Sequence, residues 1–274
     1  MKTLVTGANG MLGQDLCPIL EDEGYEVIET DIETLDITDE LAVRRIIAEE
    51  NPDIVIHCAA YTDVDGAEKD FEKALLINEK GTENLAKACG SKDIPIVYIS
   101  TDYVFDGEKE SPYTPEDKPN PINNYGISKL RGEEAVMSHC PKFYIVRTSW
   151  LYGHHGKNFV ETMLSLKEKE EINVVDDQVG SPTWTVDLVE GIIELLEEEA
   201  PSDIYHVSGC GSTSWHGFAK EIFSQTGEKV NLKACKTQDF ARPAKRPKYS
   251  VLQSQDCLRD WKLALKDYLI LRSE

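Results

Sequence analysis

No stretch of this 274-residue sequence comes near the ~18 unbroken apolar residues that a membrane span requires. Nor does it contain a Cys-x-x-Cys pair. Its seven cysteines (Cys17, Cys58, Cys89, Cys140, Cys210, Cys235 and Cys257) are odd in number and widely spaced. Neither a disulfide framework nor a zinc site is expected, and a reducing, cytoplasmic setting fits. The N-terminus enters a strand at once, without the zones of a signal peptide. Basic residues are scarce: 29 Lys and Arg stand against 50 Asp and Glu, a net charge of −21. Nucleic acid and anionic membrane both need a basic face, so neither is expected as a partner. The acid excess, as in Glu197–Glu199, reads as solvated surface. It does not bar an anionic small ligand, because glycine loops and helix ends act locally. Internal repeats and low-complexity linkers are absent. What remains, 41% hydrophobic and 29% charged, is ample for a core in one large α/β domain or a large and a small one.

The chain is organised around its first thirteen residues. Met1–Thr6 reads as a buried strand, Gly7-Ala8-Asn9-Gly10-Met11-Leu12-Gly13 as a Gly-x-x-Gly-x-x-Gly turn, and Met11–Leu20 as a helix with apolar residues at helical spacing. Strand, glycine turn and helix is the order a dinucleotide pyrophosphate site needs. The glycines let the backbone approach the phosphates, and the helix start offers free N–H groups and a positive dipole. Asp31 ends the next predicted strand, where a ribose diol would lie. Up to Ser149, strands (Tyr25–Glu29, Asp53–His57, Ile94–Ile99, Phe143–Arg147) alternate with helices (Asp39–Glu50 capped by Thr38 or Asp39, a long Glu68–Cys89, Tyr125–Ser138). This predicts an α/β fold, a Rossmann-type doubly wound parallel sheet, over residues 1–149. Four segments that follow strands should then meet in one crevice: the glycine turn, Asp31, Cys58-Ala59-Ala60-Tyr61 and Ser100-Thr101-Asp102. After Ser149 the rhythm changes. Helices over Asn158–Lys169, Thr185–Glu198, Ser214–Gln225 (capped by Thr213) and Trp261–Arg272 are mixed with a strand at Ile172–Val175 and a loop at Gln238–Ser250. Residues 150–274 read mainly as a smaller substrate-binding lid, and the strand over Ile204–Ser208 is a candidate to rejoin the main sheet.

Tyr125 and Lys129 stand at i and i+4 near the start of a predicted helix, one turn apart on one face. Tyrosine titrates near ~10, and an adjacent ammonium can make it a useful acid near neutrality. By itself the spacing equally describes a surface aromatic–cation pair, but it is the only such spacing among the eleven tyrosines. Thr101, just past the fourth strand, could share the same substrate oxygen, or simply cap the strand end.

The stretches TGANGMLGQDL (6–16), PDIVIHCAAYTDVDGAE (52–68), STDYVFDG (100–107), PINNYGISKLRGE (121–133), RTSWLYG (147–153), VVDDQVGSPTWTVDL (174–188) and RPKYSVL (246–252) resemble the dTDP-4-dehydrorhamnose reductase family of extended short-chain dehydrogenases/reductases. The resemblance implies NAD(P)H-dependent reduction of the C4 ketone of dTDP-4-dehydro-6-deoxy-L-mannose to dTDP-L-rhamnose. It implies that Tyr125 gives the proton, that Lys129 lowers the tyrosine pKa and holds the nicotinamide ribose, and that Thr101 hydrogen-bonds the reacting oxygen. Gly7, Gly10, Met11, Leu12 and Gly13 match the pyrophosphate loop, Asp31 the ribose acid, and Asp36-Ile37 the adenine-side pair. Ala59, Ala60 and Tyr61 match the segment beyond the third strand, and Asn78 a structural or cofactor-side asparagine. Asp102 and Trp150 match substrate positions.

Some members carry magnesium at a dimer contact. Asp15 aligns with one of those acids, the remaining ligands are unmatched, and no metal site is assigned. A homodimer is left open. His57 reads as a satisfied strand-end residue, and His154-His155 as loop histidines, since neighbours rarely point the same way. NADH is favoured, because Asp31 would accept from a free 2′-hydroxyl and no Arg or Lys stands within Asp31–Glu40 to hold a 2′-phosphate; NADPH is left open. A sugar-nucleotide dehydratase would place Glu after Thr-Asp, where this chain has Tyr103. Another nucleotide-sugar 4-ketoreductase or epimerase is the nearer alternative. A non-catalytic NAD(P)-binding regulatory subunit, like that of methionine adenosyltransferase, is the alternative from another class.

Overall fold

A computed structural model describes residues 1–240, 242–254 and 258–272. Ala241, inside the predicted 238–250 loop, and Cys257 lie outside them. The strands β1 (Lys2–Thr6), β2 (Glu26–Thr30), β3 (Ile54–His57), β4 (Ile96–Thr101), β5 (Phe143–Thr148) and β10 (Asp203–His206) form one six-stranded sheet, ordered β10-β5-β4-β3-β1-β2. Every pairing in it is parallel. Neighbouring residues on each strand serve opposite faces. Leu4, Val55, Ile96, Tyr98 and Ile145 enter one buried cluster, while Val5, Ile54, Ile56, Val97 and Val146 enter the other. That double burial is why the strands read as nearly continuous apolar runs rather than alternating ones.

The helices α1 (Met11–Asp22) and α8 (Thr185–Glu197) cover one face. The other carries α2 (Glu40–Glu50), α5 (Thr82–Gly90) and α6 (Asn124–His139). Residues from beyond 150 thus complete the main sheet: α8 packs on α1, and β10 becomes its edge strand. A third cluster joins Tyr152 and Trp184 to α7 (Phe159–Ser165), β7 (Ile172–Val175), α9 (Trp215–Thr226) and α10 (Trp261–Arg272). Three two-stranded pairs stitch this region. They are β6 (Leu151–Tyr152) with β9 (Thr183–Trp184), β8 (Val179–Gly180) with β11 (Thr213–Ser214), and β7 with β12 (Leu232–Cys235).

The structure corrects several details. The expected single helix over Glu68–Cys89 is broken into α3 (Val64–Lys69), α4 (Phe71–Leu75), a π-turn at Leu76–Gly81, and α5. Asp70 causes the first break, because its side chain accepts the Lys73 amide and so starts a new helix. Asp39, not Thr38, caps α2. Ser214, not Thr213, caps α9. The helix expected to run to Lys169 ends at Ser165. Five described cysteines are free thiols, but Cys210 is disulfide-bonded, a departure from the all-thiol chemistry the spacing implies.

Gly132 sets how closely α6 approaches the sheet. A Cβ there would lie 2.2 Å from Tyr98 Oη and 2.5 Å from the Asn78 carbonyl. Tyr98 Oη in turn donates to the Lys129 carbonyl at 3.3 Å. Gly132→Ala is therefore expected to cost ~1–3 kcal/mol through overpacking. Urea denaturation reads this directly, and a stability equal to that of the parent protein contradicts the packing described.

Candidate active site

In the strand order, β1 and β3 are neighbours while the chain passes through β2 on the far side, so the turns after β1 and β3 diverge at their carboxyl ends. Such a switch point opens a crevice. Here the two turns also touch. Gly7 has φ +71, and a Cβ on it would lie 2.6 Å from the Ala59 nitrogen. At Gly13 a Cβ would meet the Gly7 carbonyl at 2.4 Å. Helices α2, α6, α7 and α9 each start under a side-chain cap, from Asp39, Asn123, Asn158 and Ser214. Helix α1 has none, and no acidic residue in its first turn. Its opening residues Met11, Leu12 and Gly13 instead line a crevice of about 790 Å³. An uncapped helix start at a glycine cradle fits an anionic phosphate bridge.

The crevice collects most of the residues singled out from the sequence. Gly7, Gly10, Met11, Leu12, Gly13, Asp31, Asp36, Ile37, Ala59 and Ala60 line it at one end, and Thr101, Asp102, Tyr125, Lys129 and Trp150 at the other. Asp31 also clasps the glycine turn: Oδ2 accepts the Asn9 amide at 2.9 Å and Oδ1 the Ile32 amide at 2.7 Å. Asp36 Oδ1 accepts from the Thr38 amide and hydroxyl.

Three positions fall outside the lining. Asn78 is buried in the π-turn, where Oδ1 accepts the Tyr61 amide at 2.8 Å and Nδ2 donates to the Tyr61 carbonyl and to Ser128 Oγ. It shapes the segment beyond β3 from behind. Tyr61 turns its ring toward Lys73, 5.8 Å from the ammonium. Asp15 accepts from Thr185 Oγ1 and lies 3.4 Å from His155 Nε2. Among the described residues no group of three His, Cys, Asp or Glu is arranged to hold a metal ion. His57 is buried between Thr6 Oγ1 and Thr82 Oγ1, and His154 stacks on Tyr268 at 4.4 Å.

At the chemical end, Thr101 Oγ1 donates to Asp102 Oδ1 at 3.1 Å and accepts the Tyr103 amide. Tyr103 lies edge-on to Tyr125 at 5.9 Å. Burial pushes the Tyr125 hydroxyl up to about 12; a hydrogen bond with Thr101 draws it down and the charge of Asp102 adds to the rise. Burial pulls Lys129 down to about 7, against the attraction of Glu133. The ammonium field expected to depress the tyrosine is therefore weak in the protein alone, and Tyr125 stays protonated at neutral pH. Asp102 is 2% exposed, and burial pushes its carboxyl up to about 7.

The sequence did not single out Trp215, the first residue of α9. It lines the crevice and stacks on Trp150, with ring centroids 3.5 Å apart and planes 3° apart. Trp150 itself adopts φ +48, and a Cβ at Gly180 would meet its ring at 2.4 Å. An aromatic residue directly behind a serine cap, where a helix normally begins in solvent, was the available signal. Glu133 stands four residues beyond Lys129 on the same helix, but its partners Ser100 and Arg147 are not signalled by the sequence around it.

A family model described as RmlD substrate binding domain matches residues 1–270. The chain belongs to the dTDP-4-dehydrorhamnose reductase family. It is 42% identical to the dTDP-4-dehydrorhamnose reductase of Mycolicibacterium smegmatis, over 97% of this chain and 84% of that one. Among solved structures, a dTDP-4-dehydrorhamnose reductase from Clostridium acetobutylicum is 47% identical with a TM-score of 0.97, covering both chains completely. One from Bacillus anthracis, in complex with NADP, is 44% identical with a TM-score of 0.96, over 98% of this chain and 99% of that one. No helix among the described residues is long and apolar enough to cross a membrane.

The raised carboxyl of Asp102 makes a prediction about stability. An acid whose folded-state pKa is raised destabilises the fold once it ionises. The penalty is absent below the ordinary aspartate value of about 4 and complete above about 7. Asp102→Asn removes it. The advantage of that variant over the parent in unfolding free energy should grow between those pH values, by on the order of 4 kcal/mol at most, and level off above them. Urea titrations at a series of pH values test this; a difference that does not vary with pH rules it out.

Proposed function

We propose that this protein reduces the C4 ketone of dTDP-4-dehydro-6-deoxy-L-mannose to give dTDP-L-rhamnose. The observation that carries the reading is the meeting of Thr101, Tyr125 and Lys129 at one end of a crevice whose other end is an uncapped glycine cradle. Family membership supports it. Gly7, Gly10, Met11, Leu12 and Gly13 would hold the pyrophosphate of a nicotinamide dinucleotide, Asp31 a ribose, Asp36-Ile37 the adenine side, and Ala59-Ala60 the wall beyond β3. When bound in its reduced form, such a cofactor supplies the hydride that the carbonyl carbon takes up.

The remaining work falls to the chain. As the carbonyl becomes an alkoxide, charge grows on its oxygen, and a donor must be aimed there. Tyr125 gives its Oη proton to that oxygen, which completes the secondary alcohol. Thr101 orients the phenol and shares the oxygen. Lys129 faces the same space and stabilises the tyrosinate left behind. Asp102 and the Trp150–Trp215 pair shape the sugar end. On this reading residues 1–149, completed by α8 and β10, hold the cofactor, and most of the remainder covers the nucleotide sugar.

Tyr125→Phe removes only the donor. It should lose turnover by about 100-fold or more while binding reduced cofactor as the parent does. The assay is cofactor oxidation followed at 340 nm with the keto sugar generated in situ. Near-parental turnover in that variant defeats the assignment. NADH is proposed as the preferred cofactor, because Asp31 opposes a 2′-phosphate and Asp31–Glu40 offers no cation. Parallel assays should give a higher kcat/KM with NADH, and Asp31→Asn should narrow the gap. A parent that prefers NADPH overturns this part alone.

A further inference from the structure

Tyr125 and Lys129 are the first two members of a longer stripe. Glu133 follows four residues on, so three polar side chains rise along one face of α6 at successive turns. Glu133 is fully buried, and it pairs with Arg147 at the end of β5, which is 1% exposed. Arg147 grips the carboxylate as a fork: Nε donates to Oε1 at 2.9 Å and a terminal nitrogen to Oε2 at 2.7 Å. Ser100, at the end of β4, donates to Oε1 at 2.5 Å. Ser100 precedes Thr101, and Arg147 leads into the Thr148–Trp150 segment of the crevice. One carboxylate therefore ties the ends of two strands to the helix that carries Tyr125 and Lys129.

The surroundings of Lys129 give that carboxylate a second task. The ammonium stands 4.0 Å over the Tyr98 ring, from β4. His57 and Cys58 approach from the end of β3, and Tyr125 shares its helix. Burial and Lys129 itself drive His57 down to about 3, so it stays neutral. Burial pushes the Cys58 thiol up to about 12, so it stays protonated. Asp102 lies beyond Tyr125 and adds to that tyrosine's rise. Glu133 exerts the largest influence favouring the charged form of Lys129, against the desolvation that disfavours it.

We propose that Glu133 is a positioning residue of this active site: clamped by Arg147 and Ser100, its carboxylate holds Lys129 in the crevice as an ammonium and keeps the Thr101 strand end in register with Tyr125. The inference rests on the role given to Lys129 in the proposed reduction.

The test reads Lys129 directly. The protein without cofactor is labelled with 13Cε-lysine, and the Lys129 resonance is assigned with Lys129→Met. Its titration midpoint, about 7 in the parent, should fall by about one pH unit or more in Glu133→Gln, which keeps the side chain's shape and removes its charge. The high-pH limb of kcat/KM should move the same way, with Glu133→Asp restoring part of the shift. An unchanged midpoint in folded Glu133→Gln overturns the proposal, because a merely structural pair would alter stability without moving Lys129. Glu133→Gln leaves Arg147 as an unpaired buried charge. If that variant does not fold, Glu133→Gln/Arg147→Met is compared with Arg147→Met, so that the loss of the guanidinium is common to both and the fall in the midpoint between them reads Glu133. The titration needs no turnover. A parent inactive on the keto sugar defeats the proposed reaction and leaves Glu133 to be decided by the midpoint, whereas an active parent with an unmoved midpoint defeats this inference alone.

Discussion

The crevice depends on two backbone turns touching where the order of the sheet reverses. Gly7 and Ala59 approach so closely that a single added carbon would lie 2.6 Å from a backbone nitrogen. That contact brings the end of β1 against the end of β3 and leaves the first turn of α1 pointing into the gap without a cap. Asp31 locks the turn from the side through the Asn9 amide, and Asn78 locks the opposite wall through the backbone amide and carbonyl of Tyr61. The parallel sheet supplies the rest. Each strand delivers its last residues to the same edge, so Thr101, Cys58 and Thr148 arrive together without any loop reaching across the molecule.

Burial then decides the charge state of what arrives. It acts in opposite directions on acids and bases: it raises Tyr125 and Asp102 and lowers Lys129. In each case the neutral form gains. A site that must donate a proton to a growing alkoxide benefits from a phenol that stays protonated until charge appears on its acceptor. The cost is an ammonium that is hard to keep, and this explains why an anion sits one turn below Lys129. A fully buried ion pair is weak evidence for stability, since apolar replacements often serve as well. Its placement beneath the lysine is a better reason for its presence.

Much of this was legible in the chain itself. The glycine turn, the strand–helix alternation and the Tyr125–Lys129 spacing are local patterns with local causes, and ten of the eleven residues expected at the cofactor-side wall and turns, Tyr61 being the exception, line one crevice. Pattern failed where a single side chain outweighed periodicity. Asp70 ended a helix that apolar spacing carried on, and the π-turn that houses Asn78 kept the helical look of its sequence while changing its geometry. Three-dimensional partners were also invisible. Nothing near Trp150 in the chain announces Trp215, which is 65 positions away, and Glu133 looks like any helix-surface acid until Arg147 and Ser100 are placed around it.

The same geometry bears on which reaction the site can complete. Eliminating water from a sugar ring requires a base to remove a carbon-bound proton as well as an acid for the leaving group. At the position after Thr101-Asp102 this chain carries Tyr103, half-buried, raised by its surroundings and turned edge-on to Tyr125. Asp102 is tied up on the donor side of the site, since Thr101 donates to one of its oxygens. His57 is neutral but spends both ring nitrogens on threonine hydroxyls away from the crevice. The hydroxyls of Thr101 and Tyr125 are donors, and Lys129, when charged, stabilises negative charge. Two hydroxyl donors backed by a lysine are suited to neutralising an oxyanion, which is what ketone reduction demands.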